Sequence, residues 1–366
     1  MIPFLDLTRQ YKEVEEETTA ALMRALGSGT YILGREVEAF EDEWARFCGV
    51  HGAAAVACGT DALALALIAS GAVRKGRMDE VITSPLTAGY TALAIMNAGG
   101  IPVFADIDPQ TYALAPQALE KAMTPRTRAI VPVHLYGGLA DMAAICGIAA
   151  RHGLIVIEDA AQAHGAHIGG KRAGAYGQAA AFSFYPTKNL GAYGDGGAVT
   201  SNDTALVERV KMLRQGGHGA ALQGRLEGRN SRLDEIQAAV LRVKLKYLEK
   251  WNRQRQALAR IYNERLRGIG LQVPQAHGPE AHVYHLYVVQ HRERDRLRSA
   301  LAARGVKTMI HYPYLLHQQP LFRHGGQRAL PVAESVAGRI LSLPLYPQLS
   351  KEEVSVVIDA VLDCEA

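Results

Sequence analysis

The strongest constraint on this chain is a series of short apolar runs separated by segments with helical spacing. The runs are Ala53-Ala54-Ala55-Val56-Ala57, Glu80-Val81-Ile82, Pro102-Val103-Phe104-Ala105, Ala129-Ile130-Val131-Pro132-Val133 and Leu154-Ile155-Val156-Ile157. Each is too short for a helix and lacks the polar–apolar alternation of a half-buried strand. Such runs suit strands buried on both faces, the habit of parallel sheets covered by helices. Helical stretches lie between several of them, as at Ala62 to Ala69, and amphipathic helices are expected over Glu13 to Leu26 and Glu36 to Phe47. The expected fold class is therefore α/β, a large domain with a mostly parallel central sheet and helices on both faces. The pattern then changes. Leu233 to Arg267 reads as one long helix rich in Lys and Arg, and Val283 to Val289 alternates like a half-buried strand. Arg296 to Arg304 reads as helical, Lys307 to Ile310 as extended, and Lys351 to Leu362 as a final helix. This change places a boundary near residue 250, between a large domain (1–250) and a smaller C-terminal α/β domain (251–366).

Bulk properties narrow the function. The 366 residues are 48% hydrophobic and 21% charged, as in a globular protein with a large core. A net charge of +4 is too small to argue for nucleic acid but leaves anionic small molecules as partners. Met1 to Leu7 lacks a basic stretch followed by an apolar one, so no signal peptide is expected. The apolar stretches are broken by Asp, His or Gly before membrane-spanning length. Cys48, Cys58, Cys146 and Cys364 are widely spaced and form no CxxC pair. Zinc and disulfides are not expected, and a reducing cytoplasm is.

Four local features carry chemistry, each with two readings. Asp159 ends the run Ile157-Glu158-Asp159, where ligands of open α/β sheets bind. It is either a partner for a protonated ring nitrogen or the N-cap of a following helix. Lys188 lies in Phe182-Ser183-Phe184-Tyr185-Pro186-Thr187-Lys188-Asn189-Leu190-Gly191, among aromatics and glycines that can desolvate it. Desolvation favours the neutral, nucleophilic amine, although most lysines are solvated surface groups. Gly59-Thr60 sits at a strand-to-helix junction, an anion site or simply a helix start. Gly228 to Gln237 opens the long helix, either as a functional loop around Asn230 or as an ordinary capped start. Gly191-Ala192-Tyr193-Gly194-Asp195-Gly196 does not follow GxGxxG, which speaks against a dinucleotide site. Together the four make the parts list of pyridoxal 5'-phosphate (PLP): a Schiff-base lysine, an acid for the pyridinium nitrogen and a phosphate cradle.

Over essentially its whole length the chain resembles the DegT/DnrJ/EryC1/StrS family of sugar aminotransferases. The matching pieces are Phe4-Leu5-Asp6-Leu7, Tyr31-Ile32-Leu33-Gly34, Gly59-Thr60-Asp61-Ala62-Leu63, Pro102 to Asp108, Glu158 to Gly165, Phe182 to Gly197, Asn230 to Ala238 and His311-Tyr312-Pro313. The resemblance implies the fold-type I aminotransferase architecture and a homodimer with shared active sites. It implies Lys188 as the Schiff-base lysine, Asp159 on the pyridine nitrogen and Gln162 on the ring hydroxyl side. Gly59, Thr60 and Ser183 would hold the phosphate, and Asn230 would reach the phosphate of the second copy. His311 and Tyr312 would contact substrate, as would Tyr185. Arg225, Arg229 and Arg232 are candidates for the diphosphate or the donor carboxylate, with solvated loop charges as the alternative. The family places an aromatic after a Thr to stack on the ring, whereas here Thr87 is followed by Ala88. Tyr90 is the candidate to supply the stacking.

The implied reaction is a two-half transamination from L-glutamate to a keto-sugar, nucleotide-linked, with Lys188 as general base and acid. Carbon 3 is favoured over carbon 4. The alternatives are a cyclitol aminotransferase, a PLP-dependent sugar dehydratase and a non-catalytic PLP-binding regulator. The dehydratases carry His in place of the lysine, against which Lys188 speaks.

Overall fold

The computed structural model describes residues 1–218, 227–322 and 329–365. Two helices come first, α1 (Leu7–Gly27) and α2 (Arg35–Cys48). α1 begins before its expected start because the Asp6 carboxylate caps it, accepting from the Thr8 N–H at 2.9 Å. The alternating part runs β1 (Gly52–Val56), α3 (Gly59–Ala69), β2 (Glu80–Thr83), α4 (Gly89–Asn97), β3 (Ile101–Phe104), α5 (Pro116–Ala122), β4 (Thr127–Val131), α6 (Met142–His152) and β5 (Ile155–Asp159). A small hairpin, β6 (His167–Ile168) and β7 (Lys171–Arg172), precedes β8 (Ala179–Ser183), β9 (Gly197–Ser201) and α7 (Thr204–Leu213).

Seven strands form one sheet in the order β1-β9-β8-β5-β4-β2-β3. All neighbours from β8 to β3 are parallel, while β9 runs antiparallel to both its neighbours. The five apolar runs read from the sequence are β1 to β5. β8 and β9 escape that reading because small residues and glycines flank the lysine segment and blur the strand pattern. Alternate side chains serve opposite faces. Ala54, Val56, Ile157, Ala179 and Ala181 pack with α3, α4 and α7. Ala53, Ala55, Ala180 and Phe182 meet α2 on the other face, where Ile82, Ile130 and Val156 meet α5 and α6. Alanine-rich strands let α3 lie close to the sheet. Its Leu63, Leu65 and Leu67 are buried, each contributing about 1.5–3 kcal/mol by leaving water.

The stretch expected to be one long helix is two, α8 (Glu235–Leu245) and α9 (Leu248–Leu266), broken at Lys246-Tyr247. α8 packs against α1 and α2, whereas α9 packs on the last helix of the chain, and one straight axis cannot serve both. Beyond it, β10 (Tyr287–Gln290) pairs antiparallel with β11 (Ile340–Leu343). These strands pack with α9, α10 (Arg294–Ala303) and α12 (Lys351–Glu365) around a separate core containing Tyr262, Tyr287, Leu301, Leu341 and Val357, and α11 (Pro331–Ala337) lies beside it. The strand expected over 283–289 is shorter, because the Val283 and Leu286 N–H groups donate instead to Gly137 and Tyr136 carbonyls at 2.9 and 3.2 Å. Those bonds tie this segment to the loop after β4. No helix among the described residues is long and apolar enough to cross a membrane.

Candidate active site

The topology gathers three of the four chemical segments on one sheet edge, and the fourth is bonded to them: the Ala57 N–H donates to Ser231 Oγ at 3.2 Å and the Tyr193 N–H to Gln237 Oε1 at 2.9 Å. β1, β8 and β5 run in the same direction, so their carboxyl ends share one edge of the sheet. From that edge depart Cys58-Gly59-Thr60 into α3, Asp159 to Gln162 after β5, and the loop 184–196, which carries Lys188 and turns back into β9. Ligands of open α/β sheets bind at this edge.

Consecutive residues of β5 point to opposite faces, which separates Glu158 from Asp159. Glu158 is fully buried and accepts from the N–H groups of Gly174, Tyr176 and Gly177 at 2.9, 2.7 and 2.8 Å. It also accepts from His134 Nε2 at 2.9 Å. His134 Nδ1 takes the Ala140 N–H at 3.2 Å, which puts the ring proton on Nε2. Asp159 faces α4. Its Oδ2 accepts from Thr91 Oγ1 at 2.7 Å and its Oδ1 from the Ala161 N–H at 3.2 Å. Thr87 Oγ1 lies 3.1 Å from Thr91 Oγ1 and completes the chain of hydroxyls. No helix follows Asp159, since residues 160–166 turn instead, and the N-cap reading falls.

Lys188 sits in a turn closed by its own N–H to the Tyr185 carbonyl at 2.8 Å. Its amine has no hydrogen-bond partner among the described residues. Desolvation pushes its pKa down to about 8, against the attraction of Asp159. A useful fraction of the amine is therefore neutral and nucleophilic near pH 7. His164, His285 and His311 lie within electrostatic reach of it. Burial, then the Lys188 charge, holds His164 down at about 3, His311 at about 4, and His285 well below the usual imidazole range. None of the three adds a positive charge. Next to the lysine, Asn189 is pinned: its Nδ2 donates to Asn252 Oδ1 at 2.8 Å and to the Val283 carbonyl at 3.0 Å.

At the start of α3, a Cβ on Gly59 would lie 2.6 Å from Ser183 Cβ, so only glycine fits there. A Cβ on Gly197 would lie 2.5 Å from the Cys58 carbonyl group, so β9 also needs glycine at its start. Cys58 makes no side-chain cap, which leaves the first amide N–H groups and the helix dipole to face the edge. Asp61, an acid in that first turn, is balanced by Arg229, whose guanidinium bonds its carboxylate at 3.0 Å and the Asn97 carbonyl at 3.0 Å.

The other expected residues divide into two groups. Gln162 Oε1 accepts from the Tyr136 N–H at 2.7 Å, and its Nε2 donates to Tyr312 Oη at 3.0 Å. Burial raises the Tyr312 hydroxyl to about 12, so it stays protonated. His311 Nδ1 meets Ser342 Oγ at 2.9 Å, Phe4 stacks on its ring, and its carbonyl accepts from Tyr136 Oη. The loop 311–312 is thus fastened beside Gln162. In contrast, Tyr90 and Tyr185 are 67% and 52% exposed. Asn230 is exposed, and Arg232 is half-buried with no ion pair among the described residues. Arg225 lies outside the described residues. Two distant motifs prove to be one unit. The Glu235 carboxylate accepts from the Gly34, Glu36 and Val37 N–H groups at 2.8, 2.9 and 2.9 Å, and its own N–H donates to the Tyr31 carbonyl. Thr91, Asn189 and His285 were not legible as site residues. For Thr91 the available signal is its i,i+4 spacing from Thr87 at the start of a helix that leaves the same edge.

Residues 12–362 match the DegT/DnrJ/EryC1/StrS aminotransferase family. The chain belongs to that family. It is 47% identical to the dTDP-3-amino-3,4,6-trideoxy-alpha-D-glucose transaminase of Streptomyces venezuelae, over 98% of this chain and 95% of the relative. It is 43% identical to the UDP-N-acetyl-3-dehydro-alpha-D-glucosamine 3-aminotransferase of Acidithiobacillus ferrooxidans, over 97% and 95%. Among solved structures it superposes on DesV of S. venezuelae with a TM-score of 0.96 at 47% identity, covering 100% of this chain and 98% of that one.

Family membership makes the protein an aminotransferase that works with PLP. The residues present fit that group: an unpartnered, desolvated amine at Lys188, a carboxylate at Asp159 with room for a further donor, and a glycine-bounded helix start lacking its cap. When bound, PLP supplies an aldehyde that accepts amino groups and a ring that takes up electrons.

Proposed function

We propose that this family member is a nucleotide-sugar 3-aminotransferase, moving the amino group of L-glutamate to the carbon-3 ketone of a sugar carried on a nucleoside diphosphate. The observation that carries the reading is the unpartnered Lys188 amine, poised near neutrality opposite Asp159 at the mouth of a phosphate cradle. The position on the sugar is supported by the two relatives named above, both carbon-3 enzymes by name, one for a dTDP-sugar and one for a UDP-sugar.

In this reading Lys188 Nζ would hold the cofactor. Once released, the Lys188 amine takes the proton from the amino-bearing carbon of the donor and delivers it to the cofactor in the same half-reaction. In the second half it carries a proton from the cofactor to carbon 3 of the acceptor. Asp159 keeps the ring nitrogen protonated, and the Thr91 hydroxyl orients the carboxylate. Gly59, Thr60 and Ser183 hold the phosphate, while Gln162 supports the ring hydroxyl side. His311, Tyr312, Tyr185 and Arg232 face the acceptor. Tyr90 is the aromatic that would stack on the ring, since Thr87 is followed here by Ala88. Two copies associate, with the exposed Asn230 of each reaching the phosphate bound by the other. The chain divides near residue 250 into a cofactor domain and a small domain, in keeping with its separate second core. Its four free cysteines suit a reducing cytoplasm.

The test is 2-oxoglutarate release from L-glutamate with 3-keto and 4-keto sugars on dTDP and UDP. The 3-keto acceptors are expected to be preferred by about 100-fold or more in kcat/KM. A 4-keto preference would move the position. Bound PLP with no turnover on any acceptor would favour the regulator.

A further inference from the structure

Lys244, on α8, is 2% exposed and has no carboxylate within ion-pair distance among the described residues. Its Nζ donates to the Gly191 carbonyl at 2.8 Å and lies 4.2 Å from the centre of the Tyr193 ring. Removing an ammonium from water without a counter-ion is costly, and burial pushes its pKa down to about 7. One carbonyl and one ring face are a small return for that cost unless what they hold matters. They hold the loop that carries Lys188.

That loop is tight. A Cβ on Gly191 would lie 2.3 Å from the Pro186 carbonyl oxygen, and the Ala192 N–H donates to Phe184 at 2.8 Å. Lys188 is therefore followed at once by two anchors on different helices. Asn189 is held by Asn252 of α9 and by Val283. Two residues later, Gly191 is held by Lys244 of α8. Transamination detaches the lysine from its cofactor in the first half-reaction and re-attaches it only at the end of the second, so the free amine must be kept in place without a covalent tether. A small loss of aim in such a group lowers the rate far more than it lowers binding.

We propose that Lys244 is a positioning residue for the amino transfer, fixing the loop through the Gly191 carbonyl and the Tyr193 ring so that the detached Lys188 amine stays aimed at the reacting carbon. This rests on the reading of Lys188 as the cofactor lysine. Purified protein carrying Lys244→Met, Lys244→Arg or no change is compared in two ways. The first is kcat and KM for L-glutamate. The second is the rate at which apo-protein attaches PLP to Lys188, followed by visible absorbance and by borohydride-fixed mass at that residue. Lys244→Met is expected to lower kcat about 30-fold and the attachment rate about tenfold, with KM changed less than about threefold. Lys244→Arg, which keeps a donor and a charge, is expected to recover most of both. Kinetics within about threefold of wild type for the folded Met variant would overturn the proposal. So would an Arg variant that folds but is no better than Met, since the residue would then serve packing alone. Should Lys244→Met not fold, Tyr193→Leu at its partly exposed position carries the test. It is expected to lose about three- to tenfold in both rates, and an unchanged Leu variant would sink the idea. Wild-type protein that fixes no PLP at Lys188 would instead refute the reading beneath it.

Discussion

Glu158 and Asp159 are neighbours in sequence and opposites in environment. Glu158 turns to the face beneath the hairpin and accepts four hydrogen bonds, three from backbone N–H groups and one from His134. Asp159 turns to the mouth and accepts one hydroxyl and one long backbone bond, leaving lone pairs for something else. A carboxylate whose lone pairs are all used can hold structure but cannot meet a ligand. One with room left, at a strand end beside an unpartnered lysine, can. The pair shows that a motif such as Glu-Asp-Ala-Ala-Gln divides its labour by face, through the pleat of the strand.

Substitutions test that division, starting at the mouth. Lys188→Ala is expected to lower steady-state transamination by about 10⁴-fold or more, because it removes both the attachment point and the proton carrier. Repeated turnover by that variant would dismantle the site. The carboxylates give a double contrast. Asp159→Asn is expected to cost about 10²–10³-fold in kcat with little change in unfolding temperature. Glu158→Gln is expected to destabilise the fold by about 2–6 kcal/mol, because its amide nitrogen would face two of the four N–H donors and leave them unpaired at about 1–3 kcal/mol each, while the folded fraction keeps most of its kcat. Thermal unfolding and kinetics on both variants decide it, and the reverse pattern would mean that the faces have been assigned the wrong way round.

Gly59→Ala probes the cradle. Its methyl group must displace Ser183, and overpacking of about 1–3 kcal/mol translates into about a 5- to 150-fold rise in the PLP Kd. An unchanged Kd by absorbance titration would place the phosphate elsewhere. The smallest expected effect is in pH. Burial lowers the Lys188 pKa from its ordinary value to about 8, so the neutral amine grows as pH rises through that value. Attachment of PLP to apo-protein is expected to speed up about fivefold from pH 7 to 8 and less than about twofold from 8 to 9. A lysine left at its ordinary pKa would instead keep gaining about tenfold per unit over the whole range.

Local spacing was enough to read the strands β1 to β5, the first helices, and the residue types that make a PLP site. Those features are written in consecutive residues, because burial on one or both faces sets the apolar period. The reversal of β9 was not readable, nor was the break at Lys246-Tyr247. Each depends on what a segment packs against. The partner of Asp159 shows the same limit. Thr91 lies 68 residues away and meets it only because β2 and β5 run parallel, with β4 between them, and end at the same edge. Lys244 reads as one more basic residue in a helix rich in them. Only the tertiary structure removes its water and sets Gly191 and Tyr193 against it. The sequence by itself determined which chemistry the chain carries, because functional groups are covalent and fixed. The fold decided which of those groups are desolvated, paired or left with free lone pairs, because those properties belong to neighbours brought together from distant parts of the chain.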